Sequence, residues 1–108
     1  MVRALALAFL VTLLPVPALA NPAVSAVVDP YLRIQETLAG DKTTGVRDQA
    51  SAIVTAAGKL GKPAEAIVAA ARQLQVASGL APTRDAFFAL SSALFKYADA
   101  TKTPLGPE

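Results

Sequence analysis

The sequence predicts an all-α fold: a small up-down antiparallel four-helix bundle that follows a cleaved signal peptide. Beyond residue 20, apolar residues recur at intervals of three and four in four segments, and no segment shows the alternation typical of a strand. Glycine and proline separate these segments. The connections between them are short, which favours antiparallel packing of neighbouring helices.

Residues 1–20 have the composition of a secretory signal peptide. Arg3 precedes an apolar run over residues 4–14, which ends at Pro15, and small residues at Ala18 and Ala20 form a cleavage site. The run is shorter than the roughly 20 residues that span a bilayer. We therefore expect cleavage, a periplasmic or secreted protein, and no stable membrane insertion afterwards.

Cleavage of 20 of the 108 residues would leave 88, enough for one domain. We expect a helical bundle over residues 21–102 and a flexible tail over residues 103–108, where two prolines occur in six positions. The chain has no cysteine, so the domain must be stabilised by packing without disulfides.

Two positions could begin the first helix. Asp29 followed by Pro30 is a capping side chain followed by proline at the first helical position, which predicts a helix from Pro30 to Ala39. The alternative is a helix that begins near Ala23 and kinks at Pro30. The sequence leaves both open, and either helix presents one inner stripe: Val27, Tyr31, Ile34 and Leu38.

The second helix is predicted at about Thr43 to Leu60, with Asp41 as a capping residue. Gly61 and Pro63 mark a stop and a restart, and the third helix is predicted from Pro63 or Ala64 to Ser78. Alanine is frequent on the inner faces of both helices, which lets neighbouring helices approach closely. The inner positions are Val46, Ala50, Ile53, Ala57 and Leu60 on the second helix, and Ile67, Ala70, Ala71, Leu74 and Ala77 on the third.

The segment from Thr83 to Ala100 is predicted to be the central helix, with Thr83 as its cap. Its apolar arc covers about half of the circumference, so it should touch more than one neighbour. We expect Phe87, Leu90 and Leu94 to be buried, against Ile34 and Leu38 on one side and Val46 and Ile53 on the other. Aromatic residues could line a ligand site, but at helical spacing we interpret them as core: Tyr31, Phe87, Phe88, Phe95 and Tyr97.

Arg84 lies about 60° from Phe87 on the helical wheel, on the apolar side. A charge there needs a partner. In an up-down bundle the turn between the first two helices lies at the same end, so we predict a structural ion pair between Arg84 and Asp41. The competing interpretation is that the Arg84 head reaches solvent along the end of the bundle.

The segment Gly40 to Gly45, GDKTTG, has the glycine spacing of a phosphate-binding loop. Such a loop needs Lys and Ser or Thr directly after the second glycine, and a strand before the first. Val46 and Arg47 follow here, and a helix precedes, so we interpret the segment as a turn between helices.

Composition excludes most catalytic and metal chemistry. The chain has no His and no Cys, and its one methionine is Met1, so neither a nucleophile with a histidine base nor a soft-metal site can be assembled. Ser91 and Ser92 are interpreted as small residues in a packed helix, with Lys96 on the solvent side. We predict a protein that is not an enzyme, with no catalytic, cofactor-binding or metal-binding residue. The basic residues are dispersed, which argues against nucleic-acid binding.

Three segments together resemble a known family: YLRIQETLAGD, GVRDQASAIVTAA and RDAFFALSSALFKY. They are similar to the domain of unknown function number 3347, a periplasmic helical family, over residues 31–97. The resemblance implies an association with adaptor subunits of copper and silver efflux pumps. Many members continue into a segment with Cys and Met, whereas this chain has TPLGPE after Lys102, so the resemblance transfers no metal ligand.

We therefore expect an exported, non-enzymatic protein-interaction module in the periplasm, with an efflux adaptor as one candidate partner. The alternative is an accessory protein that handles a small ligand or metal in copper or silver efflux.

Overall fold

A computed structural model describes residues 21–105. This part of the chain contains four α-helices and no strand, which confirms the all-α bundle: α1 (Pro22–Ala39), α2 (Val46–Gly58), α3 (Glu65–Val76) and α4 (Leu80–Thr101). Each helix packs mainly on the helix that precedes or follows it in the chain. The prediction that the fourth helix is the central one is therefore wrong, because α2 and α3 lie between α1 and α4 in this order of packing. The expected signal peptide and the last three residues of the expected tail lie outside the described residues.

Helix α1 begins at Pro22, not at Pro30. Asn21 is its N-cap, and its Oδ1 accepts from the backbone N–H groups of Ala23 and Val24 at 3.0 and 3.3 Å. Asn21 and Pro22 form the same kind of pair as Asp29 and Pro30, a capping side chain followed by proline. The helix begins at the earlier of the two pairs. Pro30 then lies inside the helix, where it is buried and its missing N–H is tolerated because the face around it packs on the core.

Helix α2 is shorter than predicted, because Thr43 to Gly45 form a turn. Gly45 is the N-cap with φ of 80°, a backbone region that glycine adopts without strain, and no side chain caps the helix. The prediction that Asp41 caps α2 is therefore wrong. Before α3 the chain forms a short 3-10 helix, Lys62–Ala64.

Helix α4 begins at Leu80, so the prediction of Thr83 as its cap is wrong. Gly79 is the N-cap with φ of 91°. Pro82 falls in the first turn, where a backbone N–H has no intrahelical partner and proline costs little. Thr83 is consequently one turn inside the helix and only 2% exposed.

One apolar core joins the four helices. The predicted inner stripes are confirmed, since nearly all of their residues are buried, with Leu60 and Ala77 half-buried. Leu90 and Leu94 are 0% and 2% exposed and belong to the same cluster as Ile34, Val46 and Ile53. Phe87 is half-buried at the edge of this cluster, so its predicted full burial is wrong.

The chain turns back after α4. Lys102 has φ of 55°, and the N–H of Thr103 donates to the carbonyl of Ala98 at 2.9 Å, a bonding pattern typical of a helix C-terminus. The hydroxyl groups of Thr101 and Thr103 are 2.7 Å apart. These contacts bring Leu105 back against the core.

Candidate functional site

The groove between α1 and α4 carries three of the four large apolar side chains that are exposed among residues 21–105. Leu32 is exposed by 51%, Phe88 by 76% and Phe95 by 59%. Small globular domains rarely leave such side chains clustered in water unless the surface binds something. We name this surface the α1–α4 face, and it consists of Leu32, Gln35, Phe87, Phe88, Ser91 and Phe95.

The aromatic residues do not all belong to the core, so that prediction is wrong for Phe88 and Phe95. Tyr31 is buried and Tyr97 is half-buried. The wide apolar arc of α4 therefore serves two purposes: one part packs on α1 and α3, and the other faces solvent. A helical wheel could show the width of this arc, but it could not show that α1, α2 and α3 leave part of it uncovered.

Two contacts of Tyr31 hold α1 against α4 at the floor of the groove. Its ring stacks on that of Phe87, with centroids 4.8 Å apart and an interplanar angle of 20°. Its hydroxyl lies 2.7 Å from the Ser91 hydroxyl. The two contacts orient Phe87 and place Phe88 on the outer edge of the groove.

Arg84 closes one end of the groove. Its Nη2 forms the predicted ion pair with Asp41 and also donates to the carbonyl of Leu38, near the end of α1, at 2.8 Å. The predicted ion pair is confirmed. The reason given for it, burial of the charge on Arg84, is wrong, because the Arg84 side chain is 46% exposed. The guanidinium instead bridges the end of α1 and the following turn to α4.

Two cavities open along the α1–α4 face. The first, about 360 Å³, lies between Leu38, Ala39, Phe87 and Phe88. The second, about 350 Å³, lies between Val28, Leu32, Phe95 and Leu105. Gln35 lines both, and it is the polar group between them.

A third, more polar cavity of about 200 Å³ lies where the turn before α2 meets the start of α4. Thr43, Arg47, Ser78 and Thr83 contribute to its lining. The Thr83 hydroxyl has no hydrogen-bond partner among residues 21–105, although the residue is almost fully buried.

The described residues contain no group of three or more His, Cys, Asp or Glu side chains that could hold a metal ion. Gly40 to Gly45 form a turn between α1 and α2, as predicted. Ser91 is bonded to Tyr31 and Lys96 is exposed, so they do not form a nucleophile and base. Within residues 21–105, no helix is both long and apolar enough to cross a bilayer.

Comparison with protein-family models, curated proteins and solved structures finds no match to this chain. Sequence reasoning named every aromatic residue of this face but assigned them all to the core. The signal that could have separated them was the seven-residue spacing of Phe88 and Phe95, which is offset from the stripe of Leu90 and Leu94.

Proposed function

We propose that this protein is an exported, non-enzymatic module that binds a helix of another protein chain in the groove between α1 and α4. The observation that carries the proposal is the exposure of Phe88 and Phe95 beside two apolar cavities. Aromatic anchors in apolar surroundings dominate the energetics of protein interfaces.

The spacing of the groove defines the chemistry of its occupant. Phe88 and Phe95 are seven residues apart on one helix, which is about 10.5 Å along the axis. Each stands beside one of the two cavities. An amphipathic helix lying along the groove, with two large apolar side chains seven positions apart, would fill both cavities at once.

The polar groups of the face suit such an occupant. Gln35, between the cavities, can donate and accept hydrogen bonds toward the polar edge of a bound helix. Arg84 keeps Nε and Nη1 free of partners among residues 21–105, because both of its bonds use Nη2. A carboxylate on the occupant could therefore bind at that end of the groove.

Export rests on the composition of residues 1–20, and a setting in copper or silver efflux rests on the resemblance of residues 31–97. In that setting the metal donors would belong to the bound adaptor protein, because this chain has no His, no Cys and no Met beyond Met1. The face, and not a metal site of its own, would then connect this protein to the pump.

Site-specific photo-crosslinking in the producing cells tests the proposal. A benzophenone amino acid replaces Gln35 on the face or, as a matched control, Arg72, which is exposed on α3. We expect adducts from position 35 that are absent from position 72 and that Phe88→Ser abolishes. Equal adduct patterns at both positions, or none at position 35, would show that the face does not bind protein.

A further inference from the structure

We infer that the helix received by the α1–α4 face is α4 of a second copy, with the two copies related by a two-fold axis. This inference rests on the proposed function, because it names the partner of the same face. Among the helices of the described chain, α4 is the one that meets the requirement for two large, exposed apolar side chains seven positions apart: Phe88 and Phe95.

An antiparallel pair of α4 helices brings the two phenylalanines to the two cavities. If the axis passes midway between positions 88 and 95, Phe88 of one copy lies level with Phe95 of the other. Phe88 then reaches the cavity beside Leu32 and Leu105, and Phe95 reaches the cavity beside Leu38 and Ala39. Both cavities of both copies are filled by one symmetric contact.

The residues at the midpoint allow the helices to approach. The midpoint falls between Ser91 and Ser92, both small and half-buried. Small side chains where two helices cross shorten the distance between their axes. Large residues therefore flank the axis, and small ones lie on it.

The charges of α4 are self-complementary about the same midpoint. Positions 84 and 99 are equally distant from it, so Arg84 of one copy lies level with Asp99 of the other. Asp99 has no ion-pair partner among residues 21–105, and Arg84 has unused donors. Two such pairs form, one at each end of the contact.

A second set of charges lies close to this midpoint without being centred on it. Asp85 precedes Phe88 by three residues, about one turn, and Lys96 directly follows Phe95. Both residues lie on one flank of α4, and both are exposed. Across the axis, Asp85 of one copy lies level with position 98 of the other, so Lys96 of that copy is two residues, about 3 Å, away along the helix and within reach of its long side chain. A parallel arrangement would place like charges opposite each other at all four positions, so the charges select the antiparallel one.

Sedimentation equilibrium of the protein purified from the periplasm of an expressing host tests the inference. We expect a reversible monomer–dimer equilibrium whose dissociation constant rises by about tenfold or more in Phe88→Ser and in Phe95→Ser, since aromatic anchors carry most of an interface's energy. The control Arg72→Glu, which is exposed on α3 and lines neither cavity, should leave the dissociation constant unchanged. A protein that is monomeric at all concentrations, or a dimer indifferent to both phenylalanine changes, would overturn the inference.

Charge reversal tests the register. Asp85→Lys and Lys96→Glu each place like charges together in a symmetric dimer, and each should weaken it by about tenfold or more. An equimolar mixture of the two variants should form a heterodimer, because opposite charges meet again in both contacts between positions 85 and 96. Failure of the mixture to associate more tightly than either variant alone would rule out the antiparallel register.

The crosslinking at position 35 separates failure of this inference from failure of the proposed function. An adduct of twice the chain mass supports the second copy as occupant. An adduct with a different protein, from a chain that stays monomeric by sedimentation, overturns the second copy and retains the face as a protein-binding site.

Discussion

Tyr31 and Ser91, 60 positions apart in the sequence, are joined through their hydroxyl groups at a distance of 2.7 Å, and this bond ties α1 to α4 beneath the exposed aromatic residues. The stack of Tyr31 on Phe87 lies beside it, so one side chain provides both a polar and an aromatic contact. Because α4 otherwise packs mainly on α3, these contacts set the width of the groove.

Tyr31→Phe keeps the aromatic stack and removes the hydrogen bond. We expect it to lower the free energy of unfolding by about 0.5–1.5 kcal/mol, the net value of a typical hydrogen bond. Urea unfolding of Tyr31→Phe, Ser91→Ala and the double variant measures the coupling. If the two single effects simply add, the bond does not contribute to stability.

Leu90 lies at the centre of the core and is 0% exposed. Leu90→Ala should lower the free energy of unfolding by about 2–5 kcal/mol, because it removes buried methyl groups and leaves a cavity. Lys96→Ala, on the exposed side of the same helix, is the control. If both variants unfold at the same denaturant concentration, the Leu90 side chain does not contribute to the core.

Much of this core could be predicted from the sequence, because burial follows helical periodicity. Ala50, Ile53, Ile67 and Leu74 are buried where the three-to-four spacing places them. The periodic signal is strong in α2 and α3, since each has one narrow apolar stripe.

Helix starts were harder to predict, because local signals compete. The chain carries two cap-and-proline pairs, at Asn21 and Asp29, and only tertiary packing of Val24 and Val27 decides that the earlier one is used. Thr83 has the side chain of a cap, but Gly79 begins α4 four residues earlier. A capping residue is favourable at a helix start without requiring one there.

The pair of Arg84 and Asp41 could be predicted, because the up-down topology alone brings the turn after α1 close to the start of α4. Asp41 has φ of 60°, a conformation that asparagine also tolerates, so Asp41→Asn removes the charge without new backbone strain. Since both side chains are substantially exposed, we expect a loss below about 1 kcal/mol that shrinks in high salt.

Arg84→Ala should be more costly than Asp41→Asn, because it also removes the bond to the Leu38 carbonyl. Thermal unfolding at low and high ionic strength measures both variants. A loss in Asp41→Asn that is unchanged by salt would show that the ion pair is not the source of its effect.

The chain outside Met1 has no thiolate, thioether or imidazole donor. Because soft monovalent metals need such donors for tight sites, we expect no submicromolar binding of Cu(I) by the isolated protein. Titration against a competing chelator, with protein lacking tags, measures this. Stoichiometric binding at submicromolar affinity would contradict the assignment of any metal donors to the partner protein.

Thr83 is almost fully buried, and its hydroxyl has no hydrogen-bond partner within the described residues. Valine has the same shape and a similar helix propensity. Thr83→Val should therefore raise the free energy of unfolding by about 1 kcal/mol, because it removes an unsatisfied polar group. The control is Thr101→Val in the same helix, which loses bonds to the Tyr97 carbonyl and the Thr103 hydroxyl and should be destabilised. If urea unfolding shows that both variants lose stability equally, the Thr83 hydroxyl has a partner in solution, and the polar cavity that it lines holds ordered water.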